Sequence, residues 1–377
     1  MSRQITVNST RAFNIPSLDG IRALAFLIVF VSHDDLRQVP GLFGVAVFFF
    51  LSGYLITTLL RIESERTGTF SIKGFYLRRA FRIFPPFYLT LLFILLIVRA
   101  GWLSGHAGRA DLLATVFYAT NYWNIYVHPI MMPGFNIFWS LAVEEHFYLL
   151  FPFLMFFMLR FQMKRRAQAV VLLALCAVIL AWRFTLVYHF HSLAMTFGPV
   201  TDPLRTMYAT DTRVDCILFG CVLALWGNPV LDKPRKPSWL LIVASVFVLL
   251  FTLVYRSPEF RETLRYTLQA IAFIPLFSAA IAMHDHWAFA WLNSRVMKFI
   301  GVLSYTLYLV HFPILLFMQR WFHSRLLVGV TALAASTALA YVIHILVERP
   351  LARLRRHFGS RTAEVIEKST VELAPAG

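Results

Sequence analysis

The sequence predicts an all-α, polytopic membrane protein, and three observations carry that reading. Hydrophobic residues make up 59% of the 377-residue chain and charged residues only 14%, against about 45–50% and about 25% in soluble domains. Apolar runs near 20 residues recur along the chain, the length a helix needs to cross about 30 Å of hydrocarbon. Lys and Arg gather in the short segments between those runs. Composition therefore excludes an ordinary soluble globule, and 37 Phe, 9 Trp and 14 Tyr exclude a solvated, disordered chain.

About ten transmembrane helices are expected, near 18–34, 41–61, 80–98, 137–158, 168–187, 213–227, 239–255, 264–284, 299–319 and 326–347. The first run ends in Ser32-His33-Asp34-Asp35 rather than in a small-residue cleavage site, so it reads as a retained helix and not as a signal-peptide core. The second is free of charge from Gly41 to Leu60. The third is introduced by Arg78, Arg79 and Arg82, and Pro85 with Pro86 is expected to kink or restart its helix. Segment 112–126 is apolar but short, and rich in Tyr, Trp and Asn, so it reads as interfacial or re-entrant; a span there would invert everything after it. Cys176, Cys216 and Cys221 lie in or beside apolar runs without metal-ligand or disulfide spacing, and read as buried small apolar residues. A membrane domain over 1–350 is thus expected, followed by a tail, 351–377, that begins basic (Arg353, Arg355, Arg356) and turns polar. No repeat recurs at a fixed period, which weakens the case for a transporter built from two related halves.

Orientation follows from charge. Of 35 Lys and Arg, the segments on one side hold 22 and those on the other 8; Arg22, Arg82, Arg183, Arg213 and Arg265 fall within or at the edges of spans. The bias places both termini in the cytoplasm of a multi-pass protein of the plasma membrane. It also accounts for the formal net charge of +16 without nucleic acid as a partner.

Ionisable residues inside apolar runs are the candidates for chemistry, because each costs several kcal/mol in a bilayer unless paired or wetted. Arg22 and His33 are eleven residues apart, about 20° from a whole number of helical turns and about 16 Å of rise, so they share one face. His33 falls near the external end; the plain alternative is that it caps the helix beside Asp34 and Asp35 while Arg22 snorkels to headgroups. Arg78, Arg79 and Arg82 stand three and four residues apart and crowd one cytoplasmic edge, a pattern that calls either for an anionic ligand or for membrane-lipid phosphate. Ser140, Glu144 and Tyr148 recur every four residues and stack on one face, with Glu145 about 100° away. A carboxylate there is an acid/base candidate, or else pairs with an arginine to hold helices together. With the first helix running outward and the fourth inward, His33 and the Ser140–Glu144 turn meet in the external half. An anionic ligand entering from the cytoplasm would reach toward them, and a coenzyme A thioester has that shape.

These residues resemble the acyltransferase 3 family of integral-membrane O-acyltransferases. The likeness runs from Ser17-Leu18-Asp19-Gly20-Ile21-Arg22 to the final span. It includes Arg-x10-His (Arg22, His33), the run Gly44–Ile56, Arg-x-x-Arg (Arg79, Arg82), Ser-x-x-x-Glu (Ser140, Glu144) and the run Gly301–His311, which holds Tyr305 and His311. Departures are Ile21 and Ala23, where Leu and Gly are common, and His146, where Gln is common. The resemblance implies an acyl-CoA donor, acetyl-CoA foremost, on the cytoplasmic side, with His33 as an essential catalytic residue and Arg79 and Arg82 in donor binding. It implies transfer to a hydroxyl of a saccharide or lipid-linked glycan. The hydrolase-like domain fused to some members is missing from these residues, which argues against a peptidoglycan or O-antigen role of the two-domain type.

The expected site is therefore His33 and Glu144 for catalysis and Arg22, Arg78, Arg79 and Arg82 for the donor. Ser140, Tyr148, Tyr305 and His311 surround it, without a metal. His33 acts either as general base or as a transiently acylated residue, and Glu144 orients it or stabilises its imidazolium. Ser140 reads as a hydrogen-bond partner rather than a nucleophile, since no Gly-x-Ser-x-Gly elbow surrounds it. The competing readings are acylation of a small molecule such as a macrolide at the cytoplasmic face, and a saccharide transporter or flippase.

Overall fold

The computed structural model describes residues 15–34, 39–130, 132–189, 204–232 and 237–357. Ten helices of 16 or more residues occupy the ten apolar runs: α1 (Leu18–His33), α2 (Gly41–Thr67), α3 (Ile72–Arg99), α4 (Phe138–Arg160), α5 (Arg165–Tyr188), α6 (Thr210–Leu225), α7 (Trp239–Val254), α8 (Leu264–Ala282), α9 (Arg295–Met318) and α10 (Arg325–Ile343). No strand occurs among the described residues. Seven of the helices are long and apolar enough to cross a membrane, while α1, α6 and α7 have 16 residues each. The all-α, polytopic membrane class follows. Of the expected tail, 358–377 lies outside the described residues, as does Asp35.

α2 and α6 form the centre of the bundle, with α1 against α2 and α9, and α5, α8 and α4 around α6. The closeness of α2 and α6 is written in two glycines. A Cβ at Gly53 would sit 1.9 Å from the Ile217 carbonyl oxygen, and one at Gly220 would sit 2.0 Å from that of Phe50. Lipid supplies no hydrophobic drive between helices, so small residues that let backbones approach gain the dispersion contacts that hold them. α7 lies at the periphery and turns Leu240, Phe247 and Val254 outward, 77%, 67% and 76% exposed. In water that row would be an aggregation surface; in a bilayer it is solvated by lipid.

Two buried polar ties cross the bundle. Arg183 of α5 donates from Nη2 to Asp215 Oδ2 of α6 at 2.7 Å with both side chains fully buried, and from Nη1 to the Thr212 carbonyl oxygen. Arg213 stacks its guanidinium 3.6 Å from the Tyr266 ring centroid. At one end of the bundle, Arg61 of α2 pairs with Glu65 (2.6 Å) and Asp232, and Arg165 of α5 reaches the same Asp232 at 2.9 Å.

α3 departs from expectation in two ways. Its helix starts at Ile72 rather than near 80, because Ser71 Oγ accepts from the Gly74 N–H at 3.0 Å and caps it. It also runs unbroken through Pro85 and Pro86. The prolines remove two N–H donors, and α9 packs alongside, with the Tyr305 hydroxyl donating to the Ile83 carbonyl oxygen at 3.0 Å. Segment 112–126 is covered by two short helices, Arg109–Val116 and Thr120–Tyr126, of 8 and 7 residues. Neither is long enough to span. After α10 the chain makes a π-helical turn, His344–Glu348, and continues as Arg349–His357, which packs on α3. Glu348 accepts from the Thr306 hydroxyl of α9 and lies 2.6 Å from His344 Nδ1, which fixes that turn.

Candidate active site

α1, α2, α3, α4 and α9 enclose a narrow cavity of about 70 Å3, roughly the room of a few waters. Each helix contributes polar groups on the turn that faces it. Arg22 comes from α1, Ser52 from α2, Arg79 and Arg82 from α3, Ser140, Glu144, Glu145 and Tyr148 from α4, and Ser304, Tyr305 and Tyr308 from α9. Three guanidiniums and two carboxylates thus share one small volume. The Arg22 Nε and Ser304 Oγ atoms are buried there without a hydrogen-bond partner, and a buried polar atom left so is expensive. A polar ligand threading the cavity would satisfy both.

Glu144 is held by its own wall. Ser52 Oγ donates to its Oε1 at 2.9 Å and the Tyr148 hydroxyl to its Oε2 at 3.3 Å, while Tyr148 lies 3.1 Å from Ser52 Oγ. The Arg79 guanidinium lies 5.4 Å from the Tyr148 ring centroid, within cation–π range. Ser140 Oγ is 2.6 Å from the Tyr308 hydroxyl, and both reach the Ile137 carbonyl oxygen at 3.1 Å. Ser140 is thereby engaged as a hydrogen-bond partner.

The bond to His33 comes from His311, where Glu144 was expected. His33 Nδ1 lies 3.1 Å from His311 Nε2, and His311 Nδ1 lies 2.8 Å from the Tyr308 carbonyl oxygen. A carbonyl oxygen only accepts, so in the neutral pair the proton of His311 sits on Nδ1 and its Nε2 offers a lone pair. His33 then donates from Nδ1, which leaves its own lone pair on Nε2, the atom able to take a proton or an acyl group. Phe312 packs on His33 at 4.9 Å between ring centroids. His311 follows Tyr308 by three residues on α9, so the histidine pair adjoins the cavity without lining it.

Arg78 is turned out of the cavity and pairs with Glu63 of α2, Nη2 to Oε2, at 2.7 Å. Only Arg79 and Arg82 of the three neighbouring arginines line the cavity; Arg78 stands about 100° from Arg79 but only about 40° from Arg82, so its pairing with Glu63, not rotation alone, turns it out. The rotation of about 100° expected to take Glu145 away puts it on the adjoining stretch of cavity wall. Ser52, Ser304 and Tyr308 are lining residues that sequence reasoning did not single out, and Glu145 is one that it placed off the site's face; Ser52 and Ser304 do interrupt otherwise apolar runs, which is the signal that finds them. His146 lies elsewhere, its Nδ1 2.7 Å from Thr210 Oγ1.

The family described as acyltransferase domain matches residues 15–345. The O-acetyltransferase OatA of Staphylococcus aureus is 33% identical over 328 residues, 82% of this chain and 52% of that protein. The peptidoglycan O-acetyltransferase OatA of Listeria monocytogenes is 30% identical, over 80% of this chain and 49% of its own. The putative peptidoglycan O-acetyltransferase YrhL of Bacillus subtilis is 32% identical, over 80% and 48%. The chain spans about half the length of these relatives. No solved structure matches. The family match runs from just ahead of α1 to just beyond α10, the whole ten-helix frame, and the protein therefore belongs to the acyltransferase 3 family.

Proposed function

We propose that the protein is a membrane O-acyltransferase that moves an acetyl group from cytoplasmic acetyl-CoA to a saccharide hydroxyl at the external side, with ten membrane spans and both termini cytoplasmic. One observation carries this reading: three arginines and two glutamates converge in a narrow cavity, and a histidine pair with a defined free lone pair adjoins it. The arginines bind the donor's phosphates through charge-assisted bonds, and the cavity, with room for a few waters as it stands, widens to admit the thioester arm. The acceptor oxygen attacks the thioester carbonyl and the C–S bond breaks. His33 Nε2 takes the hydroxyl proton, which passes to the departing thiolate. In the stepwise route Nε2 attacks first, the C–S bond breaks and the thiolate leaves; the acceptor oxygen then takes the acetyl group from the imidazole, and its hydroxyl proton neutralises the released thiolate. The names of the similar proteins support O-acetylation, and two of them specify peptidoglycan, which favours a cell-wall or lipid-linked glycan as acceptor.

The test uses the purified chain in proteoliposomes with labelled acetyl-CoA. CoA release and a mass gain of one acetyl on added glycan are expected, and His33→Ala abolishes both. Glycan movement across the vesicle without acetyl transfer would replace this reading with transport.

A further inference from the structure

A second cavity lies apart from the acyl-transfer site, at the end of the bundle where Arg61, Arg165 and Asp232 meet. It holds about 620 Å3 between the ends of α2 and α4 and the start of α5. Arg61 and Arg165 are committed to Glu65 and Asp232. Lys164 and Arg166 also line it, are exposed, and form no ion pair among the described residues. The first turn of α5 begins between them, adding the partial positive charge of a 24-residue helix. Met155, Leu159, Met163 and Leu225 make an apolar stretch of the wall, and Ser64 and Glu65 complete it, the Glu65 carboxylate held by Arg61 and Arg165.

Gln168 supplies an independent sign of a ligand. It lines the same groove and is 1% exposed. Its Nε2 donates to the Met163 carbonyl oxygen at 2.8 Å, which fixes the amide's orientation, and its Oε1 has no partner. The groove therefore asks for three things at once: an anion beside Lys164 and Arg166, a donor for Gln168 Oε1, and an apolar segment along the methionines. Inorganic phosphate, which keeps an O–H at neutral pH, lacks the third. A zwitterionic choline lipid lacks the net charge and the donor.

We propose that this groove binds one anionic glycerophospholipid of the phosphatidylglycerol type. Its phosphodiester sits between Lys164 and Arg166 at the start of α5, a headgroup hydroxyl donates to Gln168 Oε1, and one acyl chain lies along Met155, Leu159 and Met163. The site is independent of the transfer reaction, so its test stands whether or not acetyl transfer is found.

The test measures thermal unfolding of the full chain in neutral detergent by tryptophan fluorescence, with native mass spectrometry to count retained lipid. Phosphatidylglycerol should raise the unfolding temperature and remain as a one-to-one adduct, and phosphatidylcholine and inorganic phosphate should do neither. The double variant Lys164→Gln, Arg166→Gln changes exposed side chains only, so it should fold and transfer acetyl as the parent does. Its half-saturating phosphatidylglycerol concentration should rise on the order of 25-fold. Equal stabilisation by phosphatidylcholine or by phosphate, unchanged lipid affinity in the double variant, or displacement of the lipid by acetyl-CoA would each overturn the assignment, the last by making the groove part of the donor's path.

Discussion

Replacing His311 tests whether a second histidine holds the first in its working form. His311 is fully buried and touches His33 through one hydrogen bond of 3.1 Å. A neutral hydrogen bond of this kind contributes about 0.5–1.5 kcal/mol net, so its loss changes the balance of His33 tautomers by roughly 2- to 13-fold. The imidazole is also freed to rotate, and misorientation of a reacting group costs on the order of 100-fold. Together these give a fall in kcat of about 10²- to 10³-fold for His311→Phe, which keeps the aromatic packing and removes the acceptor. The KM for acetyl-CoA should stay within about twofold, because His311 does not line the cavity that holds Arg22, Arg79 and Arg82. His311→Gln offers a carbonyl oxygen to the His33 Nδ1–H and should recover to within about tenfold of the parent. The assay is initial-rate kinetics with labelled acetyl-CoA in proteoliposomes, with thermal unfolding run alongside to separate stability from rate. Parent kcat in His311→Phe, or His311→Gln no better than His311→Phe, would refute the positioning role.

Three further outcomes are expected. Arg82→Ala should raise the acetyl-CoA KM at least tenfold, and Arg82→Lys should restore it only in part since a point charge lacks the bidentate fork; Arg78→Ala should leave it near the parent, because Arg78 is held by Glu63 outside the cavity. Asp215→Ala strands the buried Arg183 charge and should destabilise the fold by about 3–5 kcal/mol, read as lost yield and a lower unfolding temperature, whereas Glu259→Ala, at an exposed position of the Pro258–Glu262 helix, should change neither. With Cys176, Cys216 and Cys221 replaced by alanine, Ser104→Cys should react with an impermeant reagent added outside intact cells and Arg66→Cys should not; the reverse pattern would put the histidine pair in the cytoplasmic half and remove transfer across the bilayer.

The ten helices were legible because a 16- to 28-residue apolar run has few alternatives in a bilayer, and the residues that break each run stood out against it. The rotation of a side chain on its own helix was legible too: Ser140, Glu144 and Tyr148 do share the cavity wall. The residue facing each of them across a helix contact was not. Arg78, Arg79 and Arg82 look alike in sequence, and only the position of Glu63 on α2 separates the first from the other two. The sequence assigns Glu144 and His33 to the same external half, yet Ser52 and Tyr148 take the Glu144 oxygens and His311 takes His33. Depth in the membrane is one coordinate, and a hydrogen bond needs three. Pro85 and Pro86 were read by local propensity, which the packing of α9 overrides.

The lengths of the helices carry an electrical consequence. α1 and α6, enclosed by their neighbours, have 16 residues and extend about 24 Å, whereas α2 and α3, with 27 and 28 residues, exceed the ~30 Å of a typical hydrocarbon core. If the bilayer follows the shorter helices, the insulating layer is thinner beside α1 and α6, although α2, packed between them, exceeds the full core. In an energised membrane the same voltage drops over about 24 Å there instead of about 30 Å, so the local field is steeper by roughly a quarter. Arg22, a fixed positive charge on α1, and any anionic arm moving past it lie in that steepened field.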